Sequence, residues 1–163
     1  MCIDRQQRFL AMANEYKEVV ARVCNVYASS TTPFADLYQE VMINLWQGME
    51  SWRGDAKLST WIYRVAINTC ITWHRRNRRH EMGVSLDSVF EIADETDEMQ
   101  ASMAELYDLI GRLDPFDKAL ITLWLDEKSY EDISQVMGIT KTNVATRLSR
   151  IRHKLANMND KEQ

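Results

Sequence analysis

Three tryptophans, a tyrosine and six arginines lie between Ser51 and Arg79, in SWRGDAKLSTWIYRVAINTCITWHRRNRR. An indole offers a flat face for stacking, a guanidinium offers paired donors to phosphate, and an amide can bond a base edge at two points. The stretch therefore has the ingredients for holding nucleic acid. Advancing Thr60 to Arg76 by about 100° per residue, with Ser59 as N-cap, separates two faces. Ile62, Val65, Ala66, Thr69 and Trp73 form the core stripe, while Trp61, Arg64, Asn68, Thr72 and Arg75 share another side. Trp73 belongs to the core on this reading. Trp61 lies at the border, where packing on a neighbouring helix competes with stacking on a base. Trp52 stands in the loop SWRGDAKLS, where packing partners are fewer, and this favours a pocket wall that faces ligand.

A second cationic stretch, SYEDISQVMGITKTNVATRLSRIRHKL, has the layout of a helix-turn-helix. Ser129 with Asp132 three residues on resembles a capping box, and Ile133, Val136 and Met137 give a first helix its apolar face. Gly138 supplies the left-handed stop. Thr140 then caps a second helix with a narrow apolar stripe of Val144, Leu148, Ile151 and Leu155. Asn143, Thr146, Arg147, Arg150 and Lys154 project together beside that stripe. In such motifs the second helix enters the major groove, where Asn and Arg match adenine and guanine edges. A basic amphipathic helix with its charges simply in water is the competing reading, and the helix-turn spacing weighs against it.

The elements that must carry these surfaces are helices. Tyr16, Val19, Val20, Val23, Cys24 and Tyr27 recur at helical spacing, as do Leu37, Val41, Leu45 and, more loosely, Met49, with Pro33 separating the two runs. No segment alternates apolar and polar residues, and five glycines are too few for a hairpin-rich fold. The fold class expected is all-α: two small helical domains joined by an acidic flexible linker, the second ending in the helix-turn-helix. Residues 1–80, 81–102 and 103–163 are the expected first domain, linker and second domain.

Charge is strongly segregated behind a formal net charge of −4. Trp52 to His80 and Ile139 to Leu155 are basic islands, whereas Glu81 to Asp117 carries eleven acids against Arg112 alone, which favours a solvated tether over at least Glu91 to Gln100. No apolar run approaches the ~18 residues of a spanning helix, and MCIDRQQRFL lacks the apolar stretch of a signal peptide. A cytoplasmic protein is expected. Cys2, Cys24 and Cys70 are far apart, with no metal-ligand spacing, and read as reduced thiols. A nuclease would need clustered acids or a His–acid pair; Asp55 stands alone and the linker acids sit in a flexible stretch.

Three stretches, DLYQEVMINLW (Asp36 to Trp46), SWRGDAKLSTWIYRVAINT (Ser51 to Thr69) and SYEDISQVMGIT…NVATRLSRIRHKL (Ser129 to Leu155), resemble in order and separation the extracytoplasmic-function (ECF) class of bacterial sigma factors. The resemblance implies a promoter-specificity subunit without catalysis, cofactor or small-molecule substrate. Its partners would be core RNA polymerase (through the β′ clamp helices and the β flap), promoter DNA and an anti-sigma factor. It implies polymerase contacts at Asp36, Gln39, Glu40, Asn44 and Trp46. It assigns the minus-ten element to Trp52, Lys57, Trp61, Tyr63, Arg64 and Asn68, with Trp52 and Asn68 bordering the pocket for an extruded base. Arg75, Arg76, Arg78 and Arg79 would hold the backbone. The minus-thirty-five duplex would fall to Lys141, Asn143, Thr146, Arg147, Arg150 and Lys154.

Some positions depart from the family pattern. Thr142 and Asn143 stand where a Gly-Thr pair is usual, Ala145 where a basic residue is common, Asp114 interrupts a Leu-Pro pair, and Ser134 replaces alanine. A stand-alone helix-turn-helix regulator is the alternative from a different class; it predicts tight operator binding without polymerase.

Overall fold

The computed structural model describes residues 2–77 and 97–162; Arg78, Arg79 and the acidic stretch as far as Thr96 lie outside the described residues. Among the described residues there are seven α-helices and no strand: α1 Cys2–Tyr27, α2 Phe34–Gly48, α3 Leu58–Asn77, α4 Asp97–Gly111, α5 Pro115–Leu125, α6 Tyr130–Met137 and α7 Lys141–Glu162. No helix among them is long and apolar enough to cross a membrane.

Helices α1, α2 and α3 pack against one another through Val20, Val23, Cys24, Leu37, Val41, Leu45, Ile62 and Ala66, all essentially without exposed surface. Each Val, Leu and Ile side chain among them contributes about 1.5–3 kcal/mol on burial. Pro33, extended at φ −61° and ψ 143°, is the N-cap residue of α2. In the second half, Ile110, Leu120, Leu123, Ile133, Val144, Leu148 and Ile151 are buried. Asp114 caps α5 by accepting the Asp117 amide at 2.9 Å, and Pro115 follows at the first helical position, where its missing N–H costs nothing. The residue that interrupts the family's Leu-Pro pair is thus a cap.

Buried side chains of the two halves form one continuous cluster, because α1 packs on α4 and α5, and α3 packs on α5 and α6. This seam explains where the helical wheel of α3 fell short. Tyr63, Ile67 and Cys70 are buried along with the expected Ile62, Ala66 and Thr69, since α3 has packing partners on two sides. Val65 and Trp73 are half-buried, and Trp73 packs on the core with its indole N–H unpartnered among the described residues. Helix α3 starts at Leu58, so Ser59 is within the helix and is no cap; the first turn is closed by the Trp61 amide on the carbonyl of Lys57 at 3.1 Å. Asp97 to Gln100, assigned to the tether by composition, are helical. Helix α4 begins at Asp97, and acids in a first turn favour a helix start.

Candidate nucleic-acid interface

The helix-turn-helix forms as its sequence requires. The Ser129 hydroxyl accepts the Asp132 amide at 3.1 Å, and Gly138 ends α6 at φ 69°, a conformation strained for any residue with a Cβ. The Ser134 hydroxyl donates to the carbonyl of Ile139 at 2.5 Å, a bond across the turn that alanine could not make. Thr140 accepts the Asn143 amide at 3.1 Å and starts α7. Val144, Leu148 and Ile151 anchor that helix inward. Asn143, Thr146, Arg150 and Lys154 are exposed on one face of it, whereas Lys141, also exposed, lies about half a turn round the helix from Arg150. Arg147 is drawn back: its guanidinium lies over the Phe116 ring at 4.8 Å, faces Asp117 at 3.9 Å and donates to the Asn143 amide oxygen at 3.2 Å. Lys141 pairs with Glu131.

Beyond the residues singled out in the sequence, the basic side continues. Arg150, His153, Lys154, Asn157, Met158 and Lys161 line an open groove of about 470 Å³. Their spacing along one face of α7 was a signal available in the sequence.

The first surface is built differently. Gly54 sits at φ +82° in the loop before α3, and the Trp52 indole donates to the carbonyl of Ala56 at 2.9 Å, so the half-buried ring is clasped by its own loop. Trp61 leans on α2, where a methyl group added at Gly48 would come within 3.2 Å of its ring. The packing reading of Trp61 therefore has a physical basis. Asn68, Arg75 and Arg76 are exposed. Tyr63 is 2% exposed and donates its hydroxyl to Asp126 at 2.5 Å. Burial first, and that bond second, push its pKa well above the ordinary phenol value. Arg64 donates Nε and Nη2 to the carbonyl of Gln135 at 2.9 and 2.6 Å. Lys57 pairs with Asp132 at 3.3 Å.

On α2, Asp36 and Gln39 are exposed and Glu40 is partly so, beside Ile43, a 40%-exposed apolar residue that the sequence reading passed over. The other two residues of that group turn inward. Asn44 donates to the Thr69 hydroxyl at 2.9 Å, and Trp46 is held edge-on by Phe9 at 5.2 Å with Arg5 stacked at 4.3 Å. No group of three or more His, Cys, Asp or Glu poised for a metal occurs among the described residues. Cys24 and Cys70 are free, buried thiols, and the hydrogen bond between them, followed by burial, raises the Cys70 pKa.

A stacking and cationic surface on one helical half and a helix-turn-helix on the other define a double-module DNA-facing protein, and comparison with known proteins agrees. Residues 12–80 match the Sigma-70 region 2 family and residues 103–155 the Sigma-70, region 4 family. The ECF RNA polymerase sigma-E factor of Haemophilus influenzae is 29% identical, over 93% of this chain and 87% of its own length. The ECF RNA polymerase sigma factor SigM of Mycobacterium tuberculosis is 27% identical, over 84% and 69%. Among solved structures, the sigma factor RpoE of Bartonella quintana, in complex with the anti-sigma factor NepR, superposes with a TM-score of 0.74 at 19% identity, over 96% of this chain and 99% of that one. CnrH in complex with the cytosolic domain of CnrY gives 0.71 at 18%, over 97% and 91%. The chain belongs to the ECF class of sigma-70 RNA polymerase sigma factors. A stand-alone helix-turn-helix regulator would leave the match of the first half to region 2 without a cause.

Proposed function

We propose that residues 1–80 dock on core polymerase and open the minus-ten region, and that residues 103–163 read the minus-thirty-five duplex. Asp36, Gln39 and Glu40 are the outward polymerase contacts, with Asn44 and Trp46 holding α2 in place for them. Trp52 and Asn68 border the pocket for a base taken out of the stack, whose lost stacking, ~1–3 kcal/mol, an aromatic wall can replace. Lys57, Trp61, Tyr63 and Arg64 belong to the same surface, and Arg75 and Arg76, with Arg78 and Arg79 outside the described residues, hold phosphates. On α7, Asn143, Thr146 and Arg150 face base edges, while Lys141, Arg147 and Lys154 face the backbone. Polymerase supplies the chemistry, and the chain itself carries out none. The protein works in the cytoplasm, and because the similar Bartonella quintana structure holds a sigma factor with an anti-sigma factor, an anti-sigma factor is a proposed partner.

The observation that supports this most directly is the exposed Asn143, Thr146 and Arg150 on a helix whose capped, glycine-ended entry matches major-groove docking. In vitro transcription with core polymerase and start-site mapping tests it. Initiation at promoters sharing two spaced elements is expected. Tight duplex binding by the protein alone, with no polymerase-dependent initiation, would return the reading to a stand-alone regulator.

A further inference from the structure

Asn143 stands exposed in the first turn of α7, its backbone N–H bonded to the Thr140 hydroxyl at 3.1 Å. Its side-chain oxygen, Oδ1, accepts from Arg147 Nε at 3.2 Å. An arginine carries donors and no acceptor, so the end of the amide turned to it must be the oxygen. Nδ2, with its two protons, is the end left for DNA. Arg147 does not hold this posture alone. Its guanidinium lies over the Phe116 ring at 4.8 Å and faces Asp117 at 3.9 Å, two residues in the first turn of α5. A planar guanidinium stacked on a ring loses little further freedom when it forms a hydrogen bond. Asp114 fixes the turn that carries both residues by capping it. Asp117 is the loosest of these contacts; the ring and the Nε bond are the close ones. The body of the second half sets the arginine, and the arginine sets the amide.

We propose that Arg147 is a positioning residue that makes Asn143 a donor-only reader of the minus-thirty-five element, selecting guanine over adenine at one base pair; this rests on the reading of α7 as the recognition helix. A carboxamide grips adenine with both ends at once, its oxygen on the N6 amino group and its NH2 on N7. With Oδ1 turned along the helix to Arg147, that pairing is lost, and Nδ2 would meet an amino group that is itself a donor. Guanine presents two acceptors, N7 and O6, on the same edge. They suit an amide that offers protons only. A side chain that reads adenine when free thus reads the opposite pattern when its oxygen is held. Arg147 spends Nε on this bond and keeps its Nη protons for a phosphate, so it contributes affinity as well as orientation.

The test uses holoenzyme on a mapped promoter whose minus-thirty-five element is varied one base pair at a time, with wild type, Asn143→Ala, Asn143→Asp, Arg147→Ala and Arg150→Ala. Asn143→Ala identifies the pair, as the one at which preference flattens. There the wild type is expected to favour guanine, on whichever strand carries it, over adenine in the same place by roughly tenfold, the scale of one well-matched base contact. Arg147→Ala frees Oδ1, so guanine's lead over adenine should shrink to about parity or reverse, beside a loss of affinity shared by every sequence. Asn143→Asp puts an oxygen where Nδ2 stood and should favour a base with an amino group there, cytosine or adenine. A purely structural or phosphate-binding Arg147 would lower guanine and adenine promoters together and leave their ratio untouched. An A·T pair preferred by the wild type at that position, or a ratio that Arg147→Ala does not move, would overturn the proposal. So would an Asn143→Ala variant that flattens no pair: if Arg150→Ala still relaxes one, the recognition-helix reading stands and this inference alone falls. Unchanged preferences in every one of these variants would instead sink the reading of α7 itself.

Discussion

The two basic surfaces share their chemistry and differ in what they touch. On α7, Asn143, Thr146, Arg150 and Lys154 are exposed, whereas on the α3 side Tyr63 is buried and Arg64 and Lys57 are bound to α6. The helices explain the difference. Helix α7 packs through a stripe one residue wide, Val144, Leu148 and Ile151, and leaves most of its circumference to solvent. Helix α3 packs on α1 and α2 with one side and on α5 and α6 with another, so part of its polar face becomes a seam. Residue type determines what a surface can bind; the second packing partner determines how much of it stays exposed.

The largest effects should come from the core that joins the two surfaces. Ile62→Ala and Ile133→Ala, each removing a fully buried side chain on one side of the seam, should cost about 2–5 kcal/mol apiece. Because the buried cluster is continuous, thermal unfolding should remain a single transition in both variants. Two separated melting steps, with Ile133→Ala moving only one, would show that the seam does not couple the halves and would weaken the contrast drawn above.

A smaller effect should separate the surfaces by the step that fails. Trp52→Ala loses one hydrogen bond within its loop, so stability and polymerase affinity should stay close to wild type while permanganate-reactive thymines at the minus-ten region fall. Arg150→Ala should leave opening intact once bound, weaken duplex binding by ~1–3 kcal/mol and flatten preference at one base pair. Arg147→Ala should weaken every promoter and lower the salt slope by about 1. If Arg150→Ala leaves the ranking of single-base promoter variants unchanged, Arg150 contacts phosphate. If Trp52→Ala destabilises the fold as a core substitution does, its ring is structural.

Local chemistry made the second surface legible in advance. Ser129, Gly138 and Thr140 act on their immediate neighbours, and caps written in sequence became caps in structure. The all-helical class followed equally from the spacing of residues such as Leu37, Val41 and Leu45. What sequence could not supply was long-range: the partners of Tyr63 and Arg64 lie 63 and 71 positions away. A helical wheel contains one inward direction, and a helix packed on two sides needs two, which is why Tyr63, Ile67 and Cys70 escaped it. Trp46 and Asn44 escaped for the same reason, being held by Arg5, Phe9 and Thr69 from other helices. Charge segregation assigned Asp97 and Glu98 to a tether, yet they lie in the first turn of α4, since acids serve a helix start as readily as a solvated segment.

The smallest predicted effect concerns Arg147, the α7 cation drawn back onto Phe116 and Asp117. Asp117 faces Arg147 at 3.9 Å, yet its pKa is raised, because burial and the neighbouring Asp114 outweigh the pull of Arg147 and Lys154. The folded state therefore holds a proton on Asp117 more readily than the unfolded chain does. The stability from this group is complete below the unfolded carboxyl value, about 3.9, and is lost as pH rises through the higher folded value. At neutral pH the carboxylate is a net cost to the fold, and Asp117→Asn should raise the melting temperature slightly, the advantage shrinking as pH falls through the raised folded value and vanishing below the unfolded one. The same substitution removes a negative charge beside the recognition helix and loosens Arg147, so duplex affinity should rise a little without a change in sequence preference. Melting curves across that pH range, with duplex titrations beside them, check both parts. An advantage that grows on acidification would mean that the Arg147 pair dominates and Asp117 is stabilising as an anion, and the recognition helix would then be held back by an attraction the fold needs.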